Sequence, residues 1–164
     1  MQKFSMVQIE ARDIPDAWFQ CVSRVLDVGR KWTVEHGSYV GQTRLEFEWI
    51  TVAISHPYAE PYDLMLPDIP PALGIPNPVA AGYVEQYLPY LMTAILELDE
   101  QYTYGSRIHL QIEHFIEILK VTPGTNQAIL QVARPEDAEL DDPPCLRHID
   151  MRVENGRLLF FPYF

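Results

Sequence analysis

Cys145 is the residue whose type and setting point most directly to chemistry. It follows Asp141-Asp142-Pro143-Pro144, and this stiff segment delivers it at the start of a predicted strand, where a side chain can point into a cleft. A thiol attacks only as the thiolate, so a neighbour must lower its pKa. Arg147, on the same predicted strand face, is the candidate, and the nearby acids oppose it unless they face solvent. The alternative role, a small buried hydrophobe, is commoner for an isolated cysteine.

The other polar residues carry weaker signals. The five histidines show no metal-ligand spacing, and no two cysteines lie close together, so we predict no metal site. The glycines match neither a P-loop nor a dinucleotide-binding fingerprint. Cys21 lies among the apolar positions of a predicted helix and is expected in the core. Arg107 and Arg134 are candidate anion contacts, and a surface salt bridge explains each of them equally well.

Composition limits the class of protein. The chain has 164 residues, of which 48% are hydrophobic and 21% charged, which predicts one globular domain with a sizeable core. A net charge of −11 argues against a broad cationic face for nucleic acid. Two cysteines favour a reducing, cytoplasmic compartment. No stretch reaches the roughly 18 apolar residues of a membrane span, so we predict a soluble protein.

The elements that position these residues follow from hydrophobic periodicity. Three amphipathic helices are predicted. The first covers residues 14–31, with Asp13 as the start signal, and the second covers residues 84–95, with Pro89 as a kink or an early stop. The third has Ser106 as its N-cap, and Pro123-Gly124 ends it. Two-residue alternation predicts a long strand from Tyr39 to Ile54, and a buried strand follows from Ala128 to Ala133. The proline-rich residues 57–78 are predicted to form a long irregular connection.

Asn155-Gly156, between two strand-like runs, is the strongest turn signal, because both central positions of a type I′ turn need positive φ. This turn predicts that Glu154 pairs with Arg157 and Val153 with Leu158. The second strand then stops short of the start of its partner. A natural domain seldom leaves so apolar a strand unfinished. We therefore expect residues 1–164 to form a single domain that is the N-terminal and central part of a longer catalytic domain.

Taken in order, the motifs of the second half resemble the thymidylate synthase family. The resemblance covers about Gln101 to Phe164 well and the first hundred residues poorly, and the Pro-Cys-Leu form is most similar to archaeal members. It rests on the following motifs: Tyr104-Gly105-Ser106-Arg107, Gln111-Ile112, Pro123-Gly124-Thr125-Asn126-Gln127-Ala128, Pro135-Glu136-Asp137, Pro144-Cys145 and Asn155-Gly156-Arg157-Leu158.

The resemblance implies an α/β or α+β fold, with a large mixed sheet flanked by helices and two subunits joined through their sheet faces. It implies a methyltransferase that converts dUMP to dTMP. The one-carbon donor is 5,10-methylenetetrahydrofolate or a methanopterin analogue, without a metal. Two alternatives stay open, namely a dCMP or CMP hydroxymethylase of the same family and a catalytically inactive, truncated nucleotide-binding domain.

The resemblance also assigns roles to residues. Cys145 matches the nucleophile that adds to pyrimidine C6, and Tyr104 matches a tyrosine near the proton-transfer network. A glutamate that organises water is Glu46 or Glu48, which share a predicted strand face. Glu46 fits the Glu-x-x-Trp spacing of the family better, because Trp49 lies three residues on.

Two departures concern the phosphate of the nucleotide. Most family members carry two arginines where this chain has Asn126 and Gln127, so two positive charges are missing. The Arg-Ser-x-Asp phosphate motif of the family should begin after Phe164. Within these 164 residues, the substrate-binding candidates are Arg107, Arg147, Asn126 and Gln127.

Overall fold

The computed structural model describes residues 4–96, 98 and 100–164. The chain divides into two compact units, Met1–Gln86 and Tyr87–Phe164, which we call unit 1 and unit 2. Each unit has its own cluster of buried apolar residues, and both contain helix and strand. The α+β class is therefore confirmed, whereas a single domain over residues 1–164 stays a prediction.

Unit 1 is built on two parallel strands covered by a helix. Strand β1 (Met6–Ala11) pairs with β4 (Trp49–Ile54), and helix α1 (Ile14–Val28) packs on this pair. Alternate residues of β1 point into the core because side chains of a strand alternate between its faces. The buried residues of this core are Val7, Ile9, Ala11 and Ala17. The sequence analysis did not predict β1.

Helix α1 begins as predicted and ends earlier. Asp13 caps it, since its carboxylate accepts a hydrogen bond from the amide of Asp16 at 2.9 Å. The helix stops at Val28 rather than at Lys31, because Arg30–Thr33 forms strand β2. Cys21 lies half-buried against the core, as expected, and burial raises the pKa of its thiol.

The predicted strand from Tyr39 to Ile54 is wrong. The structure has two strands there, β3 (Thr43–Glu46) and β4, and residues 47–48 interrupt them. Strand β3 pairs antiparallel with β2, whereas β4 pairs with β1. The alternation of polar and apolar residues therefore continues through two strands that belong to different sheets. A local pattern carries no information on which strand β3 or β4 pairs with.

A long connection and a short helix follow. Residues 57–78 form no strand or α-helix and contain two 3₁₀ turns, Tyr62–Met65 and Pro71–Leu73, so the predicted irregular connection is confirmed. Helix α2 (Tyr83–Met92) contains Pro89 and ends one turn later, before the predicted end at residue 95.

Unit 2 packs one long helix on an antiparallel sheet. Helix α3 (Tyr104–Val121) lies against strands β5 (Ile129–Gln131) and β6 (His148–Glu154). Strand β7 (Arg157–Tyr163) completes the order β5-β6-β7. The buried residues of this core are Ile108, Ala128, Leu130, Val132 and Met151.

The predicted hairpin is confirmed in type and in register. Asn155 and Gly156 have φ angles of 51° and 73°, which a type I′ turn requires. Glu154 lies opposite Arg157, as predicted, and the pairing continues to His148 opposite Tyr163.

The strands of the described residues form three small sheets rather than the one large mixed sheet that we predicted. The two-stranded sheets belong to unit 1 and the three-stranded sheet to unit 2. None of the helices in the described part of the chain combines the length and the hydropathy that a membrane crossing requires.

Candidate active site

The first turn of α3 positions the candidate site of unit 2. Thr103, and not Ser106 as predicted, is the N-cap. The Thr103 hydroxyl accepts a hydrogen bond from the Ser106 amide at 3.0 Å, and the Ser106 hydroxyl accepts one from the Thr103 amide at 3.0 Å. This reciprocal cap starts the helix three residues earlier than predicted. Tyr104 and Arg107 therefore both lie in the first turn of α3.

Gly105 lets this turn approach the chain that follows α2. A Cβ atom at position 105 would lie 2.0 Å from the carbonyl oxygen of Thr93, a distance that no side chain tolerates. A residue without a side chain is therefore required beside Tyr104.

Arg107 is held in a buried ion pair. Its guanidinium lies 2.7 Å from the Asp137 carboxylate, and the side chains are 9% and 4% exposed. The same guanidinium donates to the carbonyl oxygen of Val132 at 3.4 Å, and Asp137 also accepts from the Arg134 amide at 2.8 Å. Burial opposes ionisation of Asp137, but these hydrogen bonds hold its pKa below the ordinary value. Of the two explanations for Arg107, an anion contact or a salt bridge, the structure has the salt bridge, in a buried form.

Tyr102 connects the residues of this site, and the sequence analysis did not identify it. Its hydroxyl donates to the carbonyl oxygen of Asp142 at 3.3 Å. Cζ of Arg107 lies 5.1 Å from the centroid of its ring, and the Tyr104 ring meets it edge-on, with centroids 6.3 Å apart. Burial raises the pKa of the Tyr102 phenol, and the charges of Tyr104 and Cys145 raise it further.

Cys145 is exposed, and the residue before it is fully buried. Pro144 anchors the segment in the interior, and the next residue presents its thiol to solvent. The segment precedes the strand instead of starting it, since β6 begins at His148. Pro143 and Pro144 have no amide hydrogen to donate to a sheet.

Arg147 takes part in the sheet through its backbone. Its amide donates to the carbonyl oxygen of Tyr163 at 2.7 Å, and its own carbonyl oxygen accepts from Val132 and Ala133. The predicted common strand face of Arg147 and Cys145 is wrong, because both residues precede β6. Among the described residues, no ion pair or hydrogen bond joins the Arg147 side chain to Cys145. Activation of the thiol by Arg147 stays a prediction.

Asn126 and Gln127 lie at the other end of α3. They line an open groove of about 820 Å³ together with His114, Glu117 and Thr125. Helix α3 has 18 residues, so at a rise of about 1.5 Å per residue its C-terminal end lies roughly 27 Å from Tyr104. The structure therefore does not bring these two amides to Cys145 within one copy of unit 2.

The two candidate glutamates belong to unit 1. Glu46 ends β3 and pairs with Arg44 at 2.6 Å. Glu48 lies in the break before β4, where it accepts from the Ser5 amide at 2.7 Å and from Arg30 at 2.8 Å, and these contacts lower its pKa. The prediction that both glutamates share a strand face is wrong. The choice between them stays open.

The structure thus joins four residues of unit 2 by direct contacts, namely Tyr102, Tyr104, Arg107 and Asp137. We name this set the Tyr102 cluster. Cys145 lies three residues after Asp142, whose carbonyl oxygen accepts from Tyr102, and the other candidates lie elsewhere. The spacing of Arg134 and Asp137 is a weak local signal for the cap of the 3₁₀ turn Pro135–Glu139, whereas no local pattern indicates Tyr102. No group of three or more potential metal ligands occurs in residues 4–96, 98 and 100–164.

Comparison with known sequences shows which proteins the chain is similar to. No family model matches the chain. Six curated archaeal relatives are similar to it along almost its whole length, and each bears the name "putative thymidylate synthase". The resemblance to thymidylate synthases, first drawn from the motifs of the second half, is confirmed.

Three of these relatives illustrate the extent of the match. The Methanosarcina acetivorans protein is 27% identical over 159 residues, which covers 92% of this chain and 65% of the relative. The Methanococcoides burtonii protein is 29% identical over 156 residues, with 90% and 64% covered. The Methanothermobacter marburgensis protein is 27% identical over 160 residues, with 92% and 70% covered. The chain therefore spans about two thirds of the length of the curated relatives that it matches.

Proposed function

We propose that this protein is a thymidylate synthase that methylates dUMP to dTMP, with Cys145 as the nucleophile. The observation that carries the proposal is the placement of Cys145, an exposed thiol that follows a buried proline and borders the Tyr102 cluster. An exposed thiol on an anchored segment suits attack on a bound ring, because the substrate can reach it and the backbone is held. The names of the archaeal relatives support the class of enzyme.

The chemistry explains why a cysteine is needed. C5 of uracil is a poor nucleophile. When the Cys145 thiolate adds to C6, electron density moves to C5, which can then attack a one-carbon unit. Loss of the C5 proton and departure of the thiolate regenerate the enzyme. The one-carbon unit and the hydride that reduces it come from 5,10-methylenetetrahydrofolate or a methanopterin analogue.

The other candidates take supporting roles in the proposal. Tyr104 assists proton transfer near the pyrimidine, and Glu46 organises water. Arg147 contacts the phosphate, which suits a side chain without an ion pair among the described residues. Arg107 acts through Asp137 as part of the frame of the site, and Asn126 and Gln127 hydrogen-bond the nucleotide of the partner subunit in the proposed dimer.

Intact mass spectrometry tests the reaction. The full chain is incubated with 5-fluoro-dUMP and methylenetetrahydrofolate, and we expect a covalent adduct that maps to Cys145 by peptide analysis. Absence of an adduct, or an adduct on Cys21, would contradict the proposal. Product mass after incubation with dUMP, dCMP and CMP then separates methylation from hydroxymethylation, because the products gain a methyl or a hydroxymethyl group.

We also propose that the protein is a cytoplasmic homodimer. Free thiols at Cys21 and Cys145 support a reducing compartment. Two exposed aromatic side chains on the face of strand β7 that points away from α3 support association through a sheet face: Phe161 and Tyr163. Light scattering after gel filtration should give twice the mass of the chain. Phe161→Glu should shift that mass toward the monomer, and a monomeric parent protein would contradict the dimer.

A further inference from the structure

Tyr102 is the residue of unit 2 that contacts the most parts of the candidate site and that the proposed chemistry does not use. The resemblance assigned it no role. It lies just before the N-cap of α3, and its hydroxyl reaches the backbone of the segment that carries Cys145. Its ring contacts both Arg107 and Tyr104.

We propose that Tyr102 is a positioning residue, which fixes the segment Asp142–Cys145 through the hydrogen bond from its hydroxyl to the Asp142 carbonyl oxygen. This inference rests on the proposed role of Cys145 as the nucleophile and adds the residue that orients it. Tyr102 touches the backbone and not the reacting atoms, so its effect on the reaction passes through Cys145.

The segment that carries Cys145 is attached to unit 2 at Pro144 and at the residues on either side of it. Pro144 is buried and anchors the segment in unit 2. The hydrogen bond from Tyr102 meets the chain two residues before this anchor, and the Arg147 amide bonds to Tyr163 three residues after it. Cys145 lies between these two attachments. Loss of the hydrogen bond from Tyr102 would free the residues that precede Cys145.

Tyr102 is itself held in place. The guanidinium that stacks on its ring is fixed by the buried pair with Asp137 and by the carbonyl oxygen of Val132. A rigid partner is what a positioning role needs, because a mobile tyrosine could not restrict the segment. The order of contacts therefore runs from Asp137 through Arg107 and Tyr102 to the segment of Cys145.

Tyr102→Phe tests this inference because it removes the hydroxyl and keeps the ring contacts. We expect the rate of 5-fluoro-dUMP adduct formation to fall about three- to tenfold, the range of a lost neutral hydrogen bond, while the dissociation constant for dUMP is unchanged. Tyr39→Phe, at an exposed turn of unit 1, is the matched control and should behave like the parent protein.

A second measurement needs no nucleotide. A nitroxide spin label is attached to Cys145 in the Cys21→Ala background, and its electron paramagnetic resonance spectrum is recorded with and without Tyr102→Phe. We expect a more mobile spectrum in the variant. Parent-like adduct rates together with an unchanged spectrum would overturn the inference, as would the same changes in Tyr39→Phe.

The two measurements separate this inference from the proposed function. If the parent protein forms no adduct, the proposed function fails. A more mobile label in Tyr102→Phe would then still support Tyr102 as the residue that holds the segment. If the parent forms the adduct and neither signal responds to the variant, the function stands and the inference is wrong.

Discussion

Cys21 and Cys145 carry the same functional group in opposite settings. Cys21 lies half-buried on the inner side of α1, against the core of unit 1, and burial raises its pKa. Cys145 is exposed, whereas the neighbouring residue, Pro144, is fully buried. A proline anchor thus fixes the backbone while the thiol stays accessible. The difference teaches that a buried neighbour can hold the backbone at a position whose own side chain stays exposed.

The ion pairs of unit 2 repeat this contrast. Arg107 and Asp137 are almost fully buried, whereas Lys120 and Glu117, on the exposed side of α3, pair at 2.6 Å with side chains 65% and 70% exposed. Water screens the second pair and not the first. We therefore expect only the buried pair to be important for the structure around Cys145.

The largest effect should come from breaking the contrast between the two thiols. Cys145→Ala should abolish adduct formation and turnover, because no other group can add to the pyrimidine. Cys21→Ala should leave both unchanged, since that side chain only fills space. Adduct mass and dTMP formation are the measurements. Equal behaviour of the two variants would refute the assignment of the nucleophile.

The next effect concerns the two ion pairs. Asp137→Ala leaves Arg107 charged and buried without a carboxylate partner, and we expect a loss of about 3–5 kcal/mol in the free energy of unfolding. Glu117→Ala, the matched control on the same unit, should cost less than about 1 kcal/mol. Urea unfolding followed by circular dichroism measures both. Similar losses in the two variants would mean that burial of the first pair has no energetic consequence.

A smaller effect is expected at Gly105. Gly105→Ala places a Cβ atom 2.0 Å from the Thr93 carbonyl oxygen, so the start of α3 must shift, at a cost of about 1–3 kcal/mol. Gly124→Ala is the control, because a Cβ atom there meets nothing within 4 Å. Thermal unfolding compares the two. An unchanged Tm for Gly105→Ala would show that the contact with Thr93 is not tight in solution.

The smallest effect is a dependence on pH. The folded-state pKa of Asp137 is lowered, so the unfolded chain binds the proton more readily than the folded one. The pair therefore stabilises the protein fully above the unfolded pKa of about 3.9. This contribution is lost as pH falls through the lower, folded value. The difference in stability between parent and Asp137→Asn should shrink as pH falls below about 4, and a constant difference would be the contrary result.

Local signals explain what the sequence could predict. Asp13 as a helix start, the end of α3 at Pro123-Gly124 and the hairpin at Asn155-Gly156 each depend on a few adjacent residues, and the structure confirms all three. Strand β1 and the break at residues 47–48 were not foreseen. Both depend on pairing between segments about forty residues apart, which a periodicity does not encode.

The candidate site shows the same division. The motif around Cys145 predicts the position of the nucleophile from neighbouring residues in the chain, and this assignment stays a prediction. The partner of Arg107 was not foreseen, because Asp137 lies thirty residues further on and reaches it only through the fold. Tyr102 was overlooked for the same reason, since its contact with Asp142 spans forty residues.

Pro162 has a consequence for how the sheet of unit 2 meets other chains. Strand β7 is the outer strand of that sheet, and Pro162 lies opposite Ile149 near its end. A proline offers no N–H, so an intruding strand that aligned with β7 would find one rung of the hydrogen-bond ladder missing. The exposed apolar side chains of β7 can still pack against the sheet face of a partner. A partner can therefore pack on the face of β7, whereas Pro162 disfavours the edge-to-edge strand pairing that leads to fibrils.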